Sequence, residues 1–298
     1  MHRLEEQRIT ENLNDMNKRL LIMLCATICA IAAPMKAKGW SITGHNVIAY
    51  IAEQYLSPEA KGACQHYLNH SLPHYSSWMD RWRYHPDYVH TSRWHAIGVV
   101  DEQFNLGPAD KYGDGADYRH EPIEGDYLIA QLDRIVAELK NHRNIPRERV
   151  ELNLKLLIHM VGDMHCPVHT FYADKAQILG RLQSDLKHKG KSRRVHMLWD
   201  CLPETLYKDW YCEDFHKHLC THSEKERKQL CQGTPLEWIK QMTPDYRGIY
   251  DLVDPDVDFR DTPQANKEKM QRLCNRQLAL GGYRMAHILN TIFKNNTK

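Results

Sequence analysis

Two histidine–aspartate pairs spaced four residues apart, His159/Asp163 and His196/Asp200, are the side chains in this sequence best suited to hold a metal ion. That spacing puts both members of a pair on one face of a helix, one turn apart. Imidazole nitrogen and carboxylate oxygen are ordinary zinc ligands, and zinc held this way activates water for hydrolysis. Spacing alone decides little, because about one such pair is expected by chance in a chain with 19 histidines. Taken singly, such a pair is more often a hydrogen-bonded couple in the core. The setting of His159 and Asp163 says more. Val150, Leu154, Leu157, Ile158 and Val161 form one apolar stripe, and Leu152 and Leu156 lie on the opposite side, so this helix should be buried nearly all round. A buried His–Asp pair is costly unless something satisfies it. His169 follows Pro167 just past the helix end, where it can face the same cavity.

The elements that must position these groups read as helices. Val47, Ile48, Ile51, Ala52 and Leu56 mark one amphipathic helix, and Ser57-Pro58 opens the next with an N-cap and a first-turn proline. Tyr127 to Leu139 carries apolar residues at helical spacing. Pro146 opens the helix of the His159/Asp163 pair, and Thr262-Pro263 opens a long last one through Ile292. Convincing alternating strands are absent. The stretches Tyr75 to His95 and Asp101 to Pro122 read as long loops. The expectation is an all-α fold, a single mostly helical domain with long loops, from Trp40 to residue 298.

Residues 1–39 differ from the rest. Met16-Asn17-Lys18-Arg19 is a basic start, Leu20 to Ala33 an apolar run, and Ala37-Lys38-Gly39 offers small residues for cleavage. This pattern is a secretory signal peptide, with residues 1–15 upstream of the true start at Met16, and it implies a secreted or periplasmic product. No later segment is long and apolar enough to span a bilayer. Removing 1–39 takes six basic and four acidic side chains from a total of 40 and 38, leaving 34 of each. A neutral chain has no global field to gather polyanions, so attraction for phosphate must be local. Seven of nine cysteines stay in the mature chain, and no C-x-x-C pair offers a thiolate zinc site. Cys201, Cys212, Cys220 and Cys231 are close enough in sequence to staple one loop-rich stretch by disulfides.

Trp40-Ser41-Ile42-Thr43-Gly44-His45, Ser77-Trp78-Met79-Asp80, Trp94-His95, His159-Met160-Val161-Gly162-Asp163-Met164-His165-Cys166-Pro167-Val168-His169 and His196-Met197-Leu198-Trp199-Asp200 occur in the order of one family. The sequence resembles the class I zinc-dependent nucleases of the S1/P1 type, single-strand nucleases and 3′-nucleotidases to which bacterial zinc phospholipase C is distantly related. The resemblance implies three Zn²⁺ ions per chain. Asp80, His95, His159 and Asp163 would hold one. Asp163 would bridge to a second, bound also by His45 and by the α-amino nitrogen and carbonyl oxygen of Trp40. His169, His196 and Asp200 would hold the third. It further implies cleavage of P–O3′ bonds in single-stranded DNA or RNA, with nucleic acid or nucleotides as the partner and 5′-phosphates on the products. Two other readings are a phospholipase C-like phosphoesterase on the same scaffold and a zinc-binding protein without catalysis.

The sequence also leaves the family pattern. After the ligand His the family usually has an aromatic residue, and two positions further an Asp or Asn that helps bind the base. Here these positions are Ala96 and Gly98, with Asp101 the nearest candidate substitute. Arg194 stands where an Asn is usual, inside the basic stretch Lys187 to Arg194, which reads as a solvated loop or as a guide for a polyphosphate chain towards His196. His165 points away from His159 by helical geometry and reads as structural, and Cys166 as a packed or bonded thiol. Trp78, Trp82 and Trp94 could stack bases, though most read as core.

Overall fold

The computed structural model describes residues 40–109, 124–172, 185–188, 191–254 and 257–294, with only the backbone for 185–188 and 191–195. The expected leader, 1–39, lies outside the described residues, as does most of the polar stretch ending at Pro122.

Helices dominate. They are α1 (Ile42–Gln54), α2 (Pro58–Tyr67), α3 (Leu72–Tyr75), α4 (Trp78–Trp82), α5 (Leu128–Lys140) and α6 (Arg147–Met164). After them come α7 (Val195–Asp200), α8 (Leu202–Leu206), α9 (Cys212–Leu219), α10 (Glu224–Leu230), α11 (Pro235–Gly248) and α12 (Gln264–Ile292). The starts follow from local chemistry. Ser57 Oγ accepts from the Ala60 amide at 3.2 Å ahead of Pro58, and Thr234 with Glu237 closes a capping box on α11. Pro146 caps α6, which ends before Pro167 can continue it. From Asn153 to Met164 all but one residue of α6 is buried, as its all-round apolar pattern requires. α12 lies against α1 so closely that a Cβ on Gly282 would come within 2.3 Å of Ile51. Only a residue without a side chain permits that approach.

Three expectations need correction. The stretch from Tyr75 to His95 is not a loop: α4 and a 3-10 helix, Val89–His95, occupy most of it. Its aromatics hide the helical period because they are used on every side, as the Trp78, Trp82 and Tyr88 ring contacts show. Strands do exist. β1 (Ile97–Val99) pairs antiparallel with β2 (Leu106–Gly107) and parallel with β3 (Thr170–Tyr172). Three residues, all buried in β1 and β3, are too few to show alternation. β4 (Asp185–His188) and β5 (Lys191–Arg194) pair antiparallel, so the described part of the basic stretch is strand. Third, Cys212, Cys220 and Cys231 form no disulfide and do not staple this region. They sit at the ends of α9 and α10, where the bond from the Tyr211 amide to Asp214, the capping box at Ser223 and packing of Phe215 and Cys231 into the core hold the segment instead.

The small sheet ties distant parts of the chain to each other. β1 begins two residues after His95 and β3 directly after His169, and Ile97 is in register with Thr170. Parallel pairing therefore draws those two histidines together.

Candidate metal centre

The C-terminal half of α6 is the floor of the site. Asp163 stands at its middle, with Oδ2 2.9 Å from His95 Nδ1 and 3.1 Å from His159 Nε2. Its Oδ1 lies 3.4 Å from His45 Nε2 and 3.5 Å from His169 Nδ1. One carboxylate thus faces four imidazoles from separate stretches of chain. His45 reaches it from the first turns of α1, stacked on the His159 ring with 4.1 Å between centroids. Gly162 makes the room, since a Cβ there would sit 2.4 Å from His45 Nδ1. Asp80, from α4, has Oδ1 3.9 Å from His95 and Oδ2 3.9 Å from His159. At the other side, His196 Nε2 lies 3.3 Å from His169 Nε2 and 3.5 Å from Asp200 Oδ2.

Trp40 is buried beside this group, and the next residue is fastened to it: the Ser41 amide donates to the Asp200 carbonyl at 2.8 Å and Ser41 Oγ to Glu204 at 2.7 Å. Eight of the nine positions expected from the sequence thus lie within 4 Å of another of them, and Trp40 is joined to Asp200 through its neighbour Ser41. His165 is not among them. Its Nδ1 donates to the Val161 carbonyl at 2.9 Å, its Nε2 faces Arg284, and burial followed by that guanidinium pulls its pKa down to about 3. Cys166 lies closer to the site than a packed thiol need be, with Sγ 3.6 Å from Asp200 Oδ1.

Ring orientation is fixed from outside. His159 Nδ1 donates to the Ser76 carbonyl at 2.7 Å, and His169 Nδ1 to the His95 carbonyl at 2.6 Å. A carbonyl only accepts, so these nitrogens carry the hydrogens and each Nε2 is directed inward.

The electrostatics show what the group lacks. Burial pushes the Asp200 carboxyl well above the usual range, and Asp163 and Asp80 add to this. Burial also raises Asp80, against the pull of His159 and Arg83. Burial would raise Asp163 too, but His159 and His169 outweigh it and hold that carboxyl well below the ordinary range. Burial lowers His45, His95 and His169, whereas for His159 the carboxylates of Asp163 and Asp80 overcome burial and raise it to about 9. Three carboxylates are therefore packed with too little positive charge. Both ring nitrogens of His45, Nε2 of His95, Oδ1 of Asp163 and Oδ2 of Asp200 are buried without a hydrogen-bond partner. Such atoms are rare in folded proteins and costly. Cations would satisfy both deficits, and three donor groups have the compactness to hold one: His45/Asp80/His159, His95/His159/Asp163 and Cys166/His169/Asp200, each within 4.8 Å.

Sequence reading missed two contributors. Arg83 is buried, with Nη1 3.1 Å from Asp80 Oδ1, and places a permanent positive charge at the edge of the cluster. Its three-residue spacing from Asp80 on a helix was the available signal. Gly162 was read only as part of a motif. Ala96 is buried and Gly98 lies in β1, so neither presents a ring or a carboxylate. Asp101, at the β1–β2 connection, accepts from the Asn105 amide and side chain at 3.1 and 2.7 Å.

This buried histidine–aspartate cluster is a candidate metal site. Residues 40–294 match the S1/P1 nuclease family, and the chain belongs to it. Nuclease S1 of Aspergillus oryzae is 26% identical over 196 residues, covering 62% of this chain and 61% of that protein, so the match spans less than two thirds of its length. Nuclease P1 of Penicillium citrinum is 25% identical over 67% of this chain and 72% of the relative. Endonuclease 2 of Arabidopsis thaliana is 23% identical over 92% and 97%.

Proposed function

We propose that the chain is an exported, zinc-dependent phosphodiesterase that cleaves P–O3′ bonds of single-stranded DNA or RNA, leaving 5′-phosphates, and that also removes phosphate from 3′-nucleotides. The observation that carries this is the contact of Asp163 with four imidazoles amid buried, unpartnered donor atoms. Asp80, His95, His159 and Asp163 hold one zinc; Asp163, His45 and the first residue, Trp40, a second; His169, His196 and Asp200 a third. Zinc so bound supplies Lewis acidity and activates water at neutral pH.

The chain's own residues do the rest. Asp163 joins two donor groups through its two oxygens. Ser76 and His95 fix the two imidazoles through their carbonyls. Arg83, held by Asp80, keeps positive charge where a phosphate would arrive. Residues 1–39 act as a secretory signal, and no helix among the described residues is long and apolar enough to cross a membrane. Removal of the signal frees the Trp40 amine, which binds metal only when unprotonated.

The test compares the chain beginning at Trp40 with one beginning at Gly39. Zinc is counted in each, and single-stranded DNA, RNA, 3′-AMP and phosphatidylcholine are offered. The expected result is hydrolysis of nucleic acid, abolished by EDTA, with less zinc and at least about a tenfold loss of rate in the longer chain. Full activity in the longer chain sinks the role of the amine. The lack of a ring or carboxylate at Ala96 and Gly98 favours a second reading, a phospholipase C-like esterase, which predicts hydrolysis of the lipid alone. Tight zinc binding without turnover would leave a non-catalytic zinc protein.

A further inference from the structure

If Ala96 and Gly98 do not bind a base, a nuclease on this scaffold needs another surface for one. Few large apolar side chains are exposed among the described residues, and Trp82 and Tyr84, at 42% and 54%, stand beside Asp80 in sequence. They differ in direction. Trp82 is two residues past Asp80, about 200° round the helix, and is engaged with Trp78, His85 and Tyr88. Tyr84 is four past Asp80. Arg83 keeps helical geometry at the end of α4 (φ −54°, ψ −24°), so Asp80, Arg83 and Tyr84 leave the chain on one side. Contacts bear this out: the Arg83 guanidinium is 3.1 Å from Asp80 Oδ1 and 5.7 Å from the Tyr84 ring centre.

We infer that Tyr84 is the base-stacking platform of this enzyme, taking over the task that positions 96 and 98 lack the side chains for. This rests on the nuclease reading above. A nucleotide whose phosphate enters the cluster past Arg83 meets the exposed Tyr84 ring with its base, and the guanidinium beside that ring strengthens attraction for a π-face. The platform offers a flat surface rather than a set of hydrogen-bond donors, so it accepts every base and favours purines through their larger stacking area.

The test uses the zinc-loaded chain beginning at Trp40 and its Tyr84→Ala, Tyr84→Phe and Trp82→Ala variants. Substrates are ApA and an oligonucleotide with an abasic sugar at the cleaved position. Tyr84→Ala should raise KM for ApA about tenfold with kcat nearly unchanged, as loss of one base stack implies. It should leave abasic cleavage and zinc content as they were. Tyr84→Phe and Trp82→Ala should match the parent on both substrates. An unchanged KM in Tyr84→Ala, or an equal rise on the abasic strand, overturns the inference while leaving the nuclease reading intact. A parent that cleaves neither substrate overturns both.

Discussion

The two halves of α6 both carry polar side chains towards neighbouring helices, with opposite results. In the N-terminal half, Arg149 and Asn153 meet Glu138 of α5, which also takes a bond from Arg134, at distances of 2.6–2.9 Å. Arg149 above all, with Asn153 and Arg134, holds the Glu138 carboxyl down at about 2. In the C-terminal half, His159 and Asp163 gather more imidazoles and carboxylates, yet several of these atoms find no partner. The first cluster leaves a single atom, Asn153 Oδ1, without a partner and serves the fold. The second leaves five, on the donor groups of a candidate metal site. Unmet demand inside the protein, rather than the mere presence of buried polar residues, separates a site from a structural network.

This contrast can be broken most directly at Asp163. Asp163→Ala should abolish metal binding at the centre and cut kcat/KM by about 10³-fold or more, measured by zinc content and steady-state rates. Normal zinc content in that variant would end the comparison. Removing metal from the unaltered chain with a chelator should lower its melting temperature by about 10 °C, since a ligand held well above its Kd stabilises by about 4 kcal/mol. Scanning calorimetry with and without EDTA checks this, and no shift would mean that no cation completes the cluster.

Gly162→Ala sharpens the point geometrically. The new methyl must displace His45, so activity should fall about 10²-fold and zinc content should drop, while the helix itself gains from the better helix former. Zinc equal to the parent's would show that His45 is not needed. The smallest effect belongs to the other half. Glu138→Gln should leave zinc and turnover untouched and cost about 1 kcal/mol, because the pair is partly solvent-screened. Its pH dependence has a definite sign. Glu138 is depressed from 4.5 to about 2, so its contribution is whole above pH 4.5 and lost as pH falls towards 2. Denaturation midpoints of parent and variant should therefore differ at pH 6 and converge near pH 2.

How much of this was legible depended on length. The long helices announced themselves: Val150 to Val161 shows its stripe, and Ser57-Pro58 and Pro146 mark starts that the structure keeps. The nine cluster positions were reached through a family's motif order, not through periodicity, since His45, Asp80 and His95 carry no mark of convergence in the sequence. Short elements were invisible for physical reasons. β1 and β3 have three residues each, and α4 is a single turn wrapped in aromatics. Arg83 and Tyr84 were overlooked because their significance comes from the side of Asp80 on which they emerge. The disulfide expectation failed because nearness in sequence says nothing about where helix ends aim their thiols.

The clasp between Ser41 and Asp200 has a consequence for timing. The first turn of the folded body waits for a carbonyl synthesised some 160 residues later, so the cluster closes only after that much of the chain has been made.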